Sequence, residues 1–187
     1  SEIDASAIKT YKANYQVSSK EVELGDIVAY TSNQENIANI PNFDLLTGGF
    51  PCQTFSMMGD QVGFGEERGK MFFLLWKILR VKRPRYVLLE NVKNLVSHNK
   101  GRTYLTIKRK LEEIGYYVSC GVFNTINFGL PQTRNRVFIF ATLDAKYAEY
   151  NLGDHVQNII DCFDTVKNNA SVNTYDTVLD ILSKDAD

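Results

Sequence analysis

The sequence predicts an α/β fold on a mostly parallel, doubly wound sheet, and two patterns carry that expectation. Apolar runs of four to six residues alternate with longer helical patterns, as they do in βαβ units. The middle of each run is nearly continuous in Val, Leu, Ile or Phe, the composition of strands buried on both faces. Strands are expected at 44–47, 86–90, 117–123 and 137–142. A first helix, about 5–15, follows directly on Glu2-Ile3. A second, about 71–83, is stopped by Pro84, because proline disfavours helix in the residue before it and has no N–H to donate. A third, about 103–114, places Ile107, Leu111 and Ile114 on one face and ends at Gly115, a natural left-handed cap. No internal repeat breaks this order, and the one loose stretch is 167–174.

Bulk properties narrow the function classes. At 187 residues with 44% hydrophobic and 23% charged, the chain fits one domain with a sizeable core. Its longest apolar stretch, 71–76, is far short of the roughly 20 residues a bilayer requires, and Ser1-Glu2-Ile3-Asp4 is no basic and apolar leader, so a cytoplasmic or nucleoid-associated protein is expected. Cys52, Cys120 and Cys162 are odd in number and form no C-x-x-C pair, which argues against a disulfide framework or a zinc site. Only His98 and His155 offer imidazoles, neither in a triad context, so hydrolase readings score low. Residues 1–142 carry 18 Lys/Arg against 13 Asp/Glu, and 143–187 carry 3 against 9, so the body is mildly basic and its tail acidic. The basic runs Lys77, Arg80, Lys82, Arg83, Arg85 and Lys100, Arg102, Lys108, Arg109, Lys110 fit either a phosphate-facing surface or the solvated faces of two helices.

Chemistry is concentrated at the ends of successive strands. Pro51-Cys52-Gln53 follows the run Phe43-Asp44-Leu45-Leu46-Thr47, and 38 residues after Cys52 the run Tyr86-Val87-Leu88-Leu89 leads into Glu90-Asn91-Val92. A further 46 residues on, Gln132-Thr133-Arg134-Asn135-Arg136 closes the series. Singly, Cys52 would read as a small buried hydrophobe, Glu90 as a helix cap or ion-pair partner, and the arginines as edge-strand charges. In this order they read as one active site holding a nucleophile, a carboxylic acid and two guanidiniums. Ligands of open α/β sheets lie beyond the carboxyl ends of the strands, so Cys52 and Glu90, each read as just after a strand, are expected to face one crevice. The segment 53–70, with Gly59, Gly63, Gly65 and Gly69, is too long and glycine-rich for a simple turn and reads as a lid.

The full strings Gly48-Gly49-Phe50-Pro51-Cys52-Gln53, Glu90-Asn91-Val92 and Asn127-Phe128-Gly129-Leu130-Pro131-Gln132-Thr133-Arg134-Asn135-Arg136 resemble three core motifs of the DNA cytosine-5 methyltransferases of bacterial restriction-modification systems. The resemblance implies a Rossmann-like S-adenosylmethionine-dependent methyltransferase fold and methylation of carbon 5 of cytosine in duplex DNA. Carbon 5 is a poor nucleophile until a group adds at carbon 6, a task suited to a Cys52 thiolate. Glu90 would then bind ring nitrogen 3 as an acid, its pKa raised by a position shielded from water. Arg136 matches the arginine at the exocyclic oxygen, and Arg134 its more structural companion, both also facing DNA phosphate. The base must be flipped out of the duplex, at a few kcal/mol. Gln53 and Ser56 match DNA-contacting positions of the lid, and Arg68-Gly69-Lys70-Met71 resembles its far end.

For the methyl donor S-adenosylmethionine, which leaves as S-adenosylhomocysteine, the resemblance implies three segments. Glu2 would accept from the ribose hydroxyls while Ile3 packs on adenine, Asp26 would accept from the adenine amino group beside Ile27, and Pro51 and Met71 would line the rest. The family's glycine-rich first motif belongs before Glu2, and Tyr175-Asp176-Thr177-Val178-Leu179-Asp180-Ile181-Leu182 resembles the approach to the target recognition domain. Residues 1–187 are therefore expected to be a partial catalytic domain without that motif, the recognition domain or the closing motifs. Such a domain would leave a sheet edge and apolar surface for a second chain or segment to cover. One subunit of a split enzyme, a catalytically incompetent scaffold, and an RNA cytosine-5 methyltransferase are the competing readings. Intact Cys52, Glu90 and Arg136 weigh against the scaffold, and the absence of a Cys-Phe-Thr insertion weighs against RNA.

Overall fold

The computed structural model describes residues 1–15, 21–51 and 71–169. They form two compact units, one of residues 1–43 with 71–83, the other of residues 44–51 with 84–169.

The first unit is helical: α1 (Ala5–Asn14), α2 (Ile27–Thr31), α3 (Gln34–Asn39) and α4 (Met71–Lys82). Short acceptor side chains start three of them, because the first N–H groups of a helix have no partner inside it. Asp4 accepts from the Ala7 N–H, Asp26 from Val28 and Asn33 from Glu35, each at 2.8 Å. Helix α4 buries Phe72, Phe73, Ile78 and Leu79, packs on α2 and α3, and donates from Lys82 Nζ to the Ala38 carbonyl at 3.0 Å. It ends where the sequence predicts, with Arg83 at φ 47° before Pro84.

The second unit is a four-stranded sheet among the described residues, in the order β1 (Leu45–Gly49), β2 (Tyr86–Val92), β4 (Asn135–Thr142), β3 (Tyr117–Asn124). Strands β1 and β2 pair in parallel, while β4 runs antiparallel to both β2 and β3. Three strands thus point one way and the fourth is threaded between them in reverse. The start of β4 consequently lies at the same end of the sheet as the carboxyl ends of β1 and β2. Helix α5 (Arg102–Glu112) packs along β3 and buries Thr103, Ile107 and Leu111. It closes at Gly115, whose φ of 89° is the left-handed cap expected. Tyr116 then donates its hydroxyl to the buried Pro84 carbonyl at 2.7 Å.

Several expectations are corrected. Burial is one-sided: Val87, Leu89, Val137, Ile139 and Ala141 are at most 1% exposed, but the alternating Tyr86, Leu88, Phe138 and Phe140 are only half-buried. Helix α6 (Leu152–Asn169) reaches that second face near β3, where the Leu152 N–H donates to Ser119 Oγ at 3.3 Å. Leu45 on β1 is left half exposed, at 51%. Glu90 lies inside β2, since the ladder to β4 continues to Val92 opposite Arg136. Helix α5 stops at Glu112, so Ile114 is only half-buried, and residues 167–169 are the last turn of α6 instead of a loose stretch.

Candidate active site

Glu90 stands opposite Phe138 in the β2–β4 ladder, and Arg136 lies two residues before Phe138 on the same face. This diagonal is within reach of long side chains. Arg136 Nε donates to Glu90 Oε1 at 2.7 Å, and Arg136 Nη1 donates to the Asn135 carbonyl at 2.8 Å. The shielded acid expected from the sequence is therefore a partly open ion pair, with the Glu90 side chain 36% exposed and that of Arg136 23% exposed. Around it lies a cavity of about 330 Å³ lined by Glu90, Arg136, Arg134, Phe123, Phe128 and Phe138 together with Thr125 and Leu130. That volume falls in the roughly 300–1,000 Å³ range of small-molecule sites. Phe123 meets Phe138 at a ring distance of 6.0 Å and Phe128 edge-on at 6.5 Å. A charged pair backed by an aromatic wall suits a flat, polar-edged ring.

The connection from β3 to β4 is fastened by its own side chains. Asn124 Oδ1 accepts from the N–H groups of Arg134 at 3.1 Å and Ile126 at 3.3 Å, and Thr125 Oγ1 donates to the Gln132 carbonyl. These bonds carry Arg134 to the cavity rim, where its side chain is exposed.

Asn91 is a site-building residue that the sequence reading passed over. It is 3% exposed; its Nδ2 donates to the Phe50 carbonyl at 2.5 Å and its Oδ1 accepts from the Val92 N–H at 2.8 Å. A buried amide with both ends engaged ties the exit of β1, one residue before Pro51, to the residue after Glu90. The available signal was a polar residue in a strand whose neighbours Leu89 and Val87 are apolar.

The donor-binding candidates divide between the units. Glu2, Ile3, Asp26, Ile27 and Met71 are in the first, Pro51 in the second with Glu90, Arg134 and Arg136. Ser1 Oγ donates to the Gly25 carbonyl at 2.5 Å, which brings the Glu2-Ile3 and Asp26-Ile27 segments side by side. Glu2 Oε1 accepts from the Ile3 and Asp4 N–H groups at 2.7 and 3.0 Å. These bonds, that from Asp4 first, hold its carboxyl below the usual carboxylate range, so it stays an anionic acceptor. Ile3 is 74% exposed, an apolar side chain open to a ring. Two anionic acceptors beside an open apolar side chain fit a ribose and an adenine. Cys52, Gln53, Ser56 and the rest of the segment 53–70 lie outside the described residues.

Solved structures share this fold: the S. pombe Dnmt2 methyltransferase superposes with a TM-score of 0.56 at 22% identity, over 75% of this chain and 41% of that one. Closer in sequence are the Type II methyltransferases M1.ScrFI of Lactococcus lactis subsp. cremoris, 48% identical over 139 residues, and M.HaeII of Haemophilus aegyptius, 41% identical over 165. The chain spans only part of them, 74% of it matching 33% of the first and 86% of it matching 50% of the second. With a family model for C-5 cytosine-specific DNA methylase matched across residues 1–187, the chain belongs to the C-5 cytosine-specific DNA methylase family.

Proposed function

We propose that this chain is the catalytic portion of an enzyme that transfers a methyl group from S-adenosylmethionine to carbon 5 of a flipped cytosine in double-stranded DNA, within a bacterial restriction-modification system. The observation that carries this reading is the Glu90–Arg136 pair in an aromatic-walled cavity at the carboxyl end of β2. The same reading makes it a cytoplasmic or nucleoid-associated protein, with DNA recognition and the remaining donor contacts supplied by further sequence or a second chain.

The bound donor supplies an electrophilic methyl group. In the helical unit Glu2 and Asp26 would accept from its ribose and adenine while Ile3, Ile27 and Met71 would give apolar contact, and Pro51 is the donor-binding candidate of the sheet unit. Cys52 acts as a thiolate, forming a bond to carbon 6 of the base while the ring electrons move toward carbon 5 and nitrogen 3. Glu90 meets nitrogen 3, and Arg136 turns a guanidinium N–H to the exocyclic oxygen; hydrogen bonds with an ionised partner are stronger than neutral ones. Arg134, at the rim, meets phosphate, and Gln53 and Ser56 are the further DNA-contacting residues. After methyl transfer a base removes the carbon 5 proton, the carbon–sulfur bond breaks, and the thiolate returns.

The test uses duplex DNA containing 5-fluorocytosine with S-adenosylmethionine, with and without a fragment carrying a glycine-rich donor motif and a target recognition domain. Fluorine cannot leave as a proton does, so a denaturant-resistant adduct that disappears in Cys52→Ala is the expected result. Glu90→Gln should slow its formation by roughly two to four orders of magnitude, the usual span of acid–base assistance. An adduct that survives Cys52→Ala, or none with the fragment present, overturns the reading.

A further inference from the structure

Gly49 is the last residue of β1 and stands in register with Glu90 on β2. Glycine inside a strand is less favourable than alanine by roughly 0.5–1 kcal/mol, so its presence asks for a cause. Backbone geometry is not the cause, because the positive-φ glycines among the described residues are Gly25, Gly101, Gly115 and Gly129. Space is. A Cβ built on Gly49 would lie 3.3 Å from Glu90 Oε2, tighter than ordinary van der Waals contact, and apart from its chain neighbours it meets no other described heavy atom within 4 Å. The other carboxylate oxygen is held by Arg136 Nε at 2.7 Å, so any retreat of the carboxylate from a new methyl bears on that bond.

We propose that Gly49 is a positioning residue for the Glu90–Arg136 pair: the side chain it lacks is the room the Glu90 carboxylate occupies. The inference rests on the reading of Glu90 as the acid that faces the base, and it deepens that reading. A side chain at position 49 requires Oε2 to give by a few tenths of an ångström, which disturbs the carboxylate that Arg136 holds. The end of β1 therefore controls the site through steric exclusion, without touching the base itself.

The test needs no turnover. In the ¹⁵N-labelled chain the Arg136 Nε–H resonance, identified by its loss in Arg136→Lys, reports the ion pair through its exchange protection. Gly49→Ala is expected to lower that protection several-fold and Gly49→Val at least tenfold, while the backbone amides of Leu89 and Ile139 keep theirs. Valine favours strands, so the fold survives the larger change; should it not, Gly49→Ala decides alone. Unchanged Nε–H protection in the folded variants overturns the proposal. The adduct assay separates this outcome from the fate of the reading it rests on. Lost protection with rapid trapping by Glu90→Gln keeps the role of Gly49 and removes that of Glu90 as acid. Unchanged protection with slow trapping by Glu90→Gln removes only Gly49.

Discussion

Asn91→Ala removes a side chain that bridges the ends of β1 and β2, and its cost can be worked out from the bonds it makes. The Phe50 carbonyl loses a donor at 2.5 Å, in a residue only 5% exposed. A net hydrogen bond contributes about 0.5–1.5 kcal/mol, and both the bond to Phe50 and that from Val92 are lost. A total near 1–3 kcal/mol would lower Tm by roughly 2–12 °C for a chain of this size. Urea unfolding followed by far-UV circular dichroism should show a lower midpoint at an unchanged slope, since the surface exposed on unfolding is the same. Asn91→Asp sharpens the test. Its carboxyl, buried against a carbonyl, has a folded pKa above its unfolded value. The folded state then binds the proton more tightly, so the variant approaches the parent at acid pH, where the neutral carboxyl can donate to Phe50. It loses stability as pH rises above the ordinary carboxylate range. A loss below about 0.5 kcal/mol in Asn91→Ala, or pH-independent damage in Asn91→Asp, would refute the bridging role.

Tyr116→Phe should cost about 1–3 kcal/mol in the same urea experiment, because the Pro84 carbonyl it satisfies is buried. Arg85 Nη2 lies 2.6 Å from Asp144 Oδ2, and the guanidinium holds that carboxyl below its usual range. With the folded pKa depressed, the contribution is present above the ordinary carboxylate pKa and is lost as pH falls through the lower folded value. Asp144→Asn should accordingly lose a little stability in the neutral region and match the parent in acid, which flattens the acid limb, as thermal melts across pH would reveal.

Strands were legible because each is a compact apolar run, and all four were located to within two residues at either end. Direction was not. Val137 to Ala141 is equally apolar read either way, yet the ten residues 125–134 that join β3 to β4 hold no α-helix, and a parallel crossover needs a dozen or more. The expected strands 117–123 and 137–142 left thirteen residues, enough for a crossover, so the antiparallel β4 showed only once the strand ends were placed. Helices α2 and α3, of five and six residues, are too short for a periodic signal and were announced only by their caps Asp26 and Asn33. Glu90, Arg134 and Arg136 were singled out from motif order, as residue types with a chemical job. The bond between Glu90 and Arg136 was not, because it depends on a cross-strand diagonal that exists only once β4 is placed beside β2. Gly49 and Asn91 escaped for a related reason: a missing methyl and a buried amide acquire meaning only from the neighbours the ladder assigns them.

The threading of β4 between two older strands has a consequence for how the chain is made. A ribosome delivers β1, β2 and β3 first, and β2 and β3 are not neighbours in the finished sheet. At roughly 5–20 residues per second, the 46 residues separating Glu90 from Arg136 take about 2–9 s to emerge. Throughout that interval β2 has an open edge, β3 has no partner in the sheet, and the carboxylate waits without its guanidinium. Arrival of one late hairpin arm closes the edge, buries Val137 and Ile139, and completes the charge pair in a single event. A nascent chain halted before Asn135 would be both sticky and chemically blank, an obvious client for chaperones.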